Sequence, residues 1–264
     1  MRRTSVGRAA IYRPAPRPMK LSELSPTALL SGFLILLVIV QFGYPVTYYG
    51  TGWVLAYQIA YASLLIAASY ATRTPLSNSW TAVVSGVLFL GASVYYAYEP
   101  ASLRGTVIAY LALIPFQATL IKRLWNYVDQ RDEDALPDIL AAVCIYLLLG
   151  AIFVPMYGLL ETLEPHSFAD AGREGHVTEW QQFVYYSYVT LNTVGFGDIR
   201  PVGNWARSLS NLEAMCGVLY IAILISQLVA RVRDRERMQT MAELREESEE
   251  QGEHVPEVLQ EEVG

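Results

Sequence analysis

Charge is what this chain has least of. Asp, Glu, Lys and Arg make up 17% of its 264 residues, against 53% hydrophobic, where a soluble domain of this length carries about a quarter charged. The mean hydropathy is positive, +0.28. Cysteine is nearly absent. Cys144 and Cys216 both fall inside apolar segments, at depths that differ in the topology below, so they are expected to pack without forming a disulfide. Histidine is as scarce: His166, His176 and His254 lie between or beyond the apolar segments. No apolar segment carries a paired nucleophile and base, or metal-ligand spacing. The sequence therefore argues against an enzyme, implies no cofactor, and gives no sign of nucleic-acid binding. A secretory leader is not expected either, because the basic N-terminal arm is followed by a helix too long for an h-region.

What charge there is has been segregated. Arg2, Arg3, Arg8, Arg13, Arg17 and Lys20 make residues 1–25 a basic arm, in which Pro14, Pro16 and Pro18 oppose helix. Such an arm suits anionic lipid headgroups. Glu243, Glu246, Glu247, Glu249, Glu250 and Glu253 make residues 232–264 an acidic tail, expected to be a solvated helix that frays into a disordered end. Between them, apolar runs near the ~20 residues that cross a hydrocarbon core predict helices over 26–42, 53–71, 80–98, 106–124, 139–160 and 208–230. Tyr48, Tyr49, Trp53, Trp80, Tyr95, Tyr96, Tyr98 and Trp125 cluster at the predicted ends, as interfacial aromatics do. Arg73, Lys122, Arg123, Arg231, Arg233, Arg235 and Arg237 then share one side with the arm. The positive-inside bias makes that side, with both termini, cytoplasmic, and Arg104 and Arg207 are the main exceptions. The division predicted is a four-helix part over 26–124, a linker over 125–136 and a two-helix part over 137–231.

Between the last two spans stands Thr193-Val194-Gly195-Phe196-Gly197-Asp198, preceded by an amphipathic stretch over 179–191. Glycines on alternate positions allow backbone angles that a Cβ forbids, so successive carbonyls can point to one side. Four such strands about an axis would form rings of oxygens that replace the hydration shell of K⁺. Non-helical backbone at membrane depth is tolerated only where protein buries it or it lines a water-filled path, and the flanking segments meet that need.

This motif and its setting resemble the selectivity filter of the potassium-channel superfamily, and residues 137–231 resemble its two-helix ion-channel pore module. The resemblance implies an all-α membrane protein with six transmembrane helices plus a re-entrant pore helix and filter. It implies a potassium-selective channel in the cell membrane, conducting as a homotetramer, because one chain carries one filter strand. K⁺ would bind at Thr193, Val194, Gly195 and Phe196, with Asp198 at the outer mouth. Gly217 falls where the family has its hinge glycine, and it can equally serve close packing. Val218, Ile221 and Ile225, at i, i+3 and i+7 on one helical face, are expected to line the path below the filter.

Two departures stand out. Phe196 lacks the hydroxyl of the commoner Tyr, and Val189 stands where some members place a carboxylate behind the filter. Glu213, an acid well inside a span, is the candidate for bracing the filter in its stead. The first four helices match the voltage-sensing half of six-helix relatives in number alone. The fourth has no basic residue before Lys122 and Arg123 at its inner end, and each charge moved through the field is worth only ~2.3 kcal/mol per 100 mV. That half is expected to be a scaffold. Glu161, Glu164, Asp170, Glu174 and Glu179 against Arg173 suggest an acidic outer mouth.

Overall fold

The computed structural model describes residues 25–75, 80–99, 102–129, 135–172 and 177–250. The basic arm and the end of the acidic tail lie outside them. Helix α1 spans Pro26–Phe42; Ser25 caps it by accepting from the Ala28 N–H, and Pro26 sits at its first position, where the missing N–H costs nothing. A 3-10 turn, Tyr44–Tyr49, leads to Gly50 at φ 133°, an angle that requires glycine. Then follow α2 (Thr51–Ala71), α3 (Trp80–Tyr98), α4 (Leu103–Asp129), α5 (Ala135–Leu163), β1 (Phe168–Asp170), α6 (Trp180–Leu191), β2 (Ile199–Pro201) and α7 (Asn204–Glu250). The fold is an all-α membrane protein with one two-stranded antiparallel ribbon, β1 against β2.

Five helices among the described residues are long and apolar enough to cross a membrane: α2, α3, α4, α5 and the Asn204–Gln227 part of α7. The apolar α1, with 17 residues, stands at the lower limit of spanning length. Of the linker expected over 125–136, residues 125–129 belong to α4 and 135–136 to α5, and 130–134 lie outside the described residues. The helix expected beyond 231 runs as far as Glu250. The charge that rules out a membrane span there leaves a strong helix-forming composition of Glu, Arg, Met and Ala.

Helix α5 is shared by both halves. It packs on α1 and α4 on one side and on α6 and α7 on the other. The first core gathers Leu30, Leu64, Phe116, Leu120 and Leu148; the second gathers Tyr157, Phe168, Phe183, Tyr186 and Leu191. At the inner end Arg123 is buried and donates to the Thr74 carbonyl and hydroxyl and to the Pro75 carbonyl. One of the three basic residues of α4, beside Arg104 and Lys122, is thus spent on fixing the end of α2.

The α4–α5 crossing is close enough that Gly158 admits no side chain. A Cβ there would lie 2.3 Å from Tyr110 Cζ. We expect Gly158→Ala to lower stability by about 1–3 kcal/mol, the usual range for overpacking. Most of that loss should be recovered in the Tyr110→Leu background. A thermal melt of the four proteins in detergent reads the non-additivity.

Candidate functional site

Helix α6 begins with a capping box, in which Glu179 accepts from the Gln182 N–H and Gln182 accepts from the Glu179 N–H. It ends at Leu191, and the chain leaves the helix through two tight bonds, Thr193 N–H to the Thr190 carbonyl and Val194 N–H to the Val189 carbonyl, both 2.9 Å. From there φ is positive at Thr193 (56°), Gly195 (60°) and Gly197 (83°), while Val194 and Phe196 stay negative. Alternation of left- and right-handed residues turns successive carbonyls toward a common side. Two of the positive positions are glycines, for which the angle is free. The third is a β-branched threonine, for which it costs about 1–3 kcal/mol. Residues 192–198 are all exposed on the single chain.

The far end of this segment is tied to the outer ribbon. The Ala171 N–H donates to the Asp198 carbonyl at 2.8 Å, and Ile199 pairs with Asp170. The ribbon is anchored in turn by Glu161. This residue, expected among the acids of the outer mouth, is buried at 1% exposure. Its carboxylate accepts the backbone N–H groups of His166, Phe168 and Thr178. Asp170 is also engaged, accepting from Gly172 N–H and from Gln182 Nε2. Glu164 is exposed; Arg173 and Glu174 lie outside the described residues.

Behind the segment the decisive contacts converge on Glu213. It is fully buried, and its carboxylate accepts from the Tyr157 hydroxyl of α5 and the Ser187 hydroxyl of α6. Ser187 also sits 2.7 Å from the Gly150 carbonyl of α5. A second bond joins α6 to α7: Ser210 donates to the Ala206 carbonyl, so the 2.6 Å contact between Tyr186 and Ser210 has the tyrosine as donor. Tyr146 of α5 donates to Asn192 Oδ1, whose amide donates back to the Tyr188 carbonyl. Glu213 thus braces the helix that carries the segment and does not touch the segment itself.

Phe196 stacks on Tyr185 of α6, with ring centroids 6.4 Å apart and planes 3° from parallel. Val189 acts through its backbone carbonyl on Val194; its side chain lines an apolar hollow of about 180 Å³ with Phe42, Tyr44 and Val194. Gly217 is a close-packing point: a Cβ there would lie 2.1 Å from the Leu191 carbonyl oxygen, and α7 runs through it without a break. Ala206, Ser210, Glu213 and Gly217 form the stripe of α7 that faces the rest of the chain. Val218, Ile221 and Ile225 stay exposed, on the flank about 40–100° around the helix from that stripe.

Sequence reasoning missed Tyr157, Ser187, Tyr185, Asn192 and Glu161. One signal was available. A buried acid in α7 requires donors, and hydroxyls within reach on neighbouring helices were the residues to seek.

Residues 141–234 match the family described as Ion channel, a stretch covering the body of α5, α6, the signature segment and the membrane part of α7. Inward rectifier potassium channel Kirbac3.1 from Paramagnetospirillum magnetotacticum is 33% identical over 91 residues, 33% of this chain and 27% of that protein. Potassium voltage-gated channel subfamily A member 5 is 31% identical over 80 residues in both Oryctolagus cuniculus and Homo sapiens, 30% of this chain and 13% of theirs. The chain thus spans about a quarter of the first relative and less of the others.

Removing the Glu213 carboxylate leaves the buried Tyr157 hydroxyl without an acceptor, worth about 1–3 kcal/mol, and breaks the α6–α7 bond of Ser187, which keeps the Gly150 carbonyl. We expect Glu213→Leu to destabilise the protein by about 2–4 kcal/mol and Glu213→Gln by less, since the amide oxygen still accepts one bond. Thermal unfolding of both variants in detergent checks the order.

Proposed function

We propose that this chain is a potassium-selective channel that conducts K⁺ passively and carries no catalytic site, a reading supported by its partial matches to the ion-channel family and to potassium channels. The observation that carries the reading is the alternation of backbone handedness over Thr193, Gly195 and Gly197 directly after a re-entrant helix. Carbonyls set to one side in four copies make the oxygen rings that replace water around K⁺. In this reading Thr193 to Phe196 hold the ions, Thr193 adds its hydroxyl at the inner mouth, and Asp198 sits at the outer mouth. No other cofactor is required.

A single chain contributes one strand, so the functional unit is a homotetramer. The exposure of residues 192–198 supports this, as does the exposed apolar surface of Leu212, Met215 and Leu219 on α7, which a neighbouring copy or lipid would cover. The protein is multi-pass, placed in the plasma or inner membrane with both termini cytoplasmic, in contact with lipid along α2 and α3. Helices α1–α4 act as a scaffold and not as a sensor, because Arg123 is committed to the α2 end by hydrogen bonds. Voltage then has almost no charge to act on.

Two outcomes test the reading. Purified protein retaining K⁺ flux in liposomes is expected to have the mass of four chains in detergent; a flux-competent single chain would refute the assembly. Gly195→Ala, which puts a Cβ at φ 60°, is expected to abolish the preference for K⁺ over Na⁺. Retention of wild-type selectivity would show that these carbonyls are not the ion sites.

A further inference from the structure

A partly open cavity of about 60 Å³ lies between the four-helix half and helix α6. At ~10–15 Å³ for each water-sized group, it holds a molecule of about four to six non-hydrogen atoms. Its walls are largely aromatic, with Tyr57, Tyr61, Tyr96, Tyr110 and Trp180 among them. Gln117, 1% exposed, also lines it. Its Nε2 donates to the Ala151 carbonyl at 3.0 Å and to the Tyr61 hydroxyl at 2.8 Å. A backbone carbonyl can only accept, so the orientation of this amide is fixed. Its Oε1 is then a buried acceptor with no partner among the described residues, a state that buried polar atoms rarely keep.

We propose that this cavity binds a small neutral hydroxyl-bearing molecule, and that occupancy is relayed to the pore helix. The orphan atom is an acceptor, so the ligand must donate, which excludes an anion. No carboxylate lines the space, so a buried cation would lack a counter-charge. A single hydroxyl on a short carbon chain satisfies both Gln117 Oε1 and the rings, whereas water satisfies only the first. The relay is a run of hydrogen bonds away from the site. Gln117 donates to Tyr61, and Tyr61 donates to Gln41 Oε1 at 3.2 Å. The run then crosses to α6 through Phe42, next to Gln41, whose ring meets Tyr188 at 4.9 Å; Tyr188 donates to the Leu147 carbonyl at 2.8 Å. Tyr188 stands one turn before Asn192, where α6 gives way to the filter.

The probe is 1-propanol with full-length protein in lipid nanodiscs, read by saturation-transfer NMR, and in liposomes, read by K⁺ flux. Wild type is expected to bind saturably, and Gln117→Leu and the cavity-filling Ala109→Leu to bind at least tenfold more weakly. Ala109→Leu keeps the test available where Gln117→Leu fails to fold. Tyr61→Phe is expected to keep binding but to lose the effect of propanol on flux. Signal that scales with lipid and ignores both variants, or a cavity that exchanges only water, would overturn the site. Saturable binding that leaves wild-type flux unchanged would overturn the relay. The flux arm rests on the channel reading; the binding arm does not, so a protein without K⁺ flux would refute that reading while the site is still decided by NMR.

Discussion

Backbone that leaves helical bonding at the depth of a membrane has to be fixed by its neighbours, since no water is there to compensate it. The segment from Thr193 to Asp198 leaves helical bonding, and the structure around it consists of ties at both ends. The inner end hangs from α6 through Val189 and Thr190. The outer end hangs from the ribbon through Ala171, and the ribbon from buried Glu161. Between these, Glu213 sets where α6 sits relative to α5 and α7. The two carboxylates do unlike work. Glu161 satisfies three backbone donors of one loop, whereas Glu213 joins three separate helices.

Helix α5 makes this arrangement common to the whole chain. It gives the Tyr157 hydroxyl to Glu213 of α7 and the Gly150 carbonyl to Ser187 of α6, while Gly158, about 80–100° around the helix from both, meets α4. The four-helix half therefore does not hang beside the pore module as an appendage. It reaches the pore helix directly as well, through the Phe42–Tyr188 ring contact at 4.9 Å and the Gln181–Thr47 hydrogen bond. Helices α1–α4 therefore share in holding α6.

Hydropathy and one six-residue motif made most of the architecture legible in advance, because a bilayer imposes length on its helices and a filter-like run imposes glycine on its turns. Helix ends were less legible. Hydropathy stops reporting where a helix leaves the lipid, so the spans expected for α4 and α7 stop 5 and 20 residues short of the observed helix ends, Asp129 and Glu250. The bracing residues were hidden for a different reason. Tyr157 and Ser187 sit in apolar surroundings, and nothing local marks a hydroxyl that points at an acid 26 or 56 positions away. Glu161 misled for a similar reason: an acid near a loop reads as solvated until backbone donors are seen to converge on it.

The length of α7 has a mechanical consequence. Its 47 residues make a rod of about 70 Å at 1.5 Å per residue. Its close approach to the rest of the chain at Gly217, where a Cβ would lie 2.1 Å from the Leu191 carbonyl oxygen, divides that rod unequally, with about 20 Å toward Asn204 and about 50 Å toward Glu250. A tilt of α7 about that point would be magnified roughly 2.5-fold toward the Glu250 tip by that ratio of arms. Conversely, a force applied near Glu250 arrives at the outer end multiplied by the same factor, close to where β2 holds the exit of the signature segment.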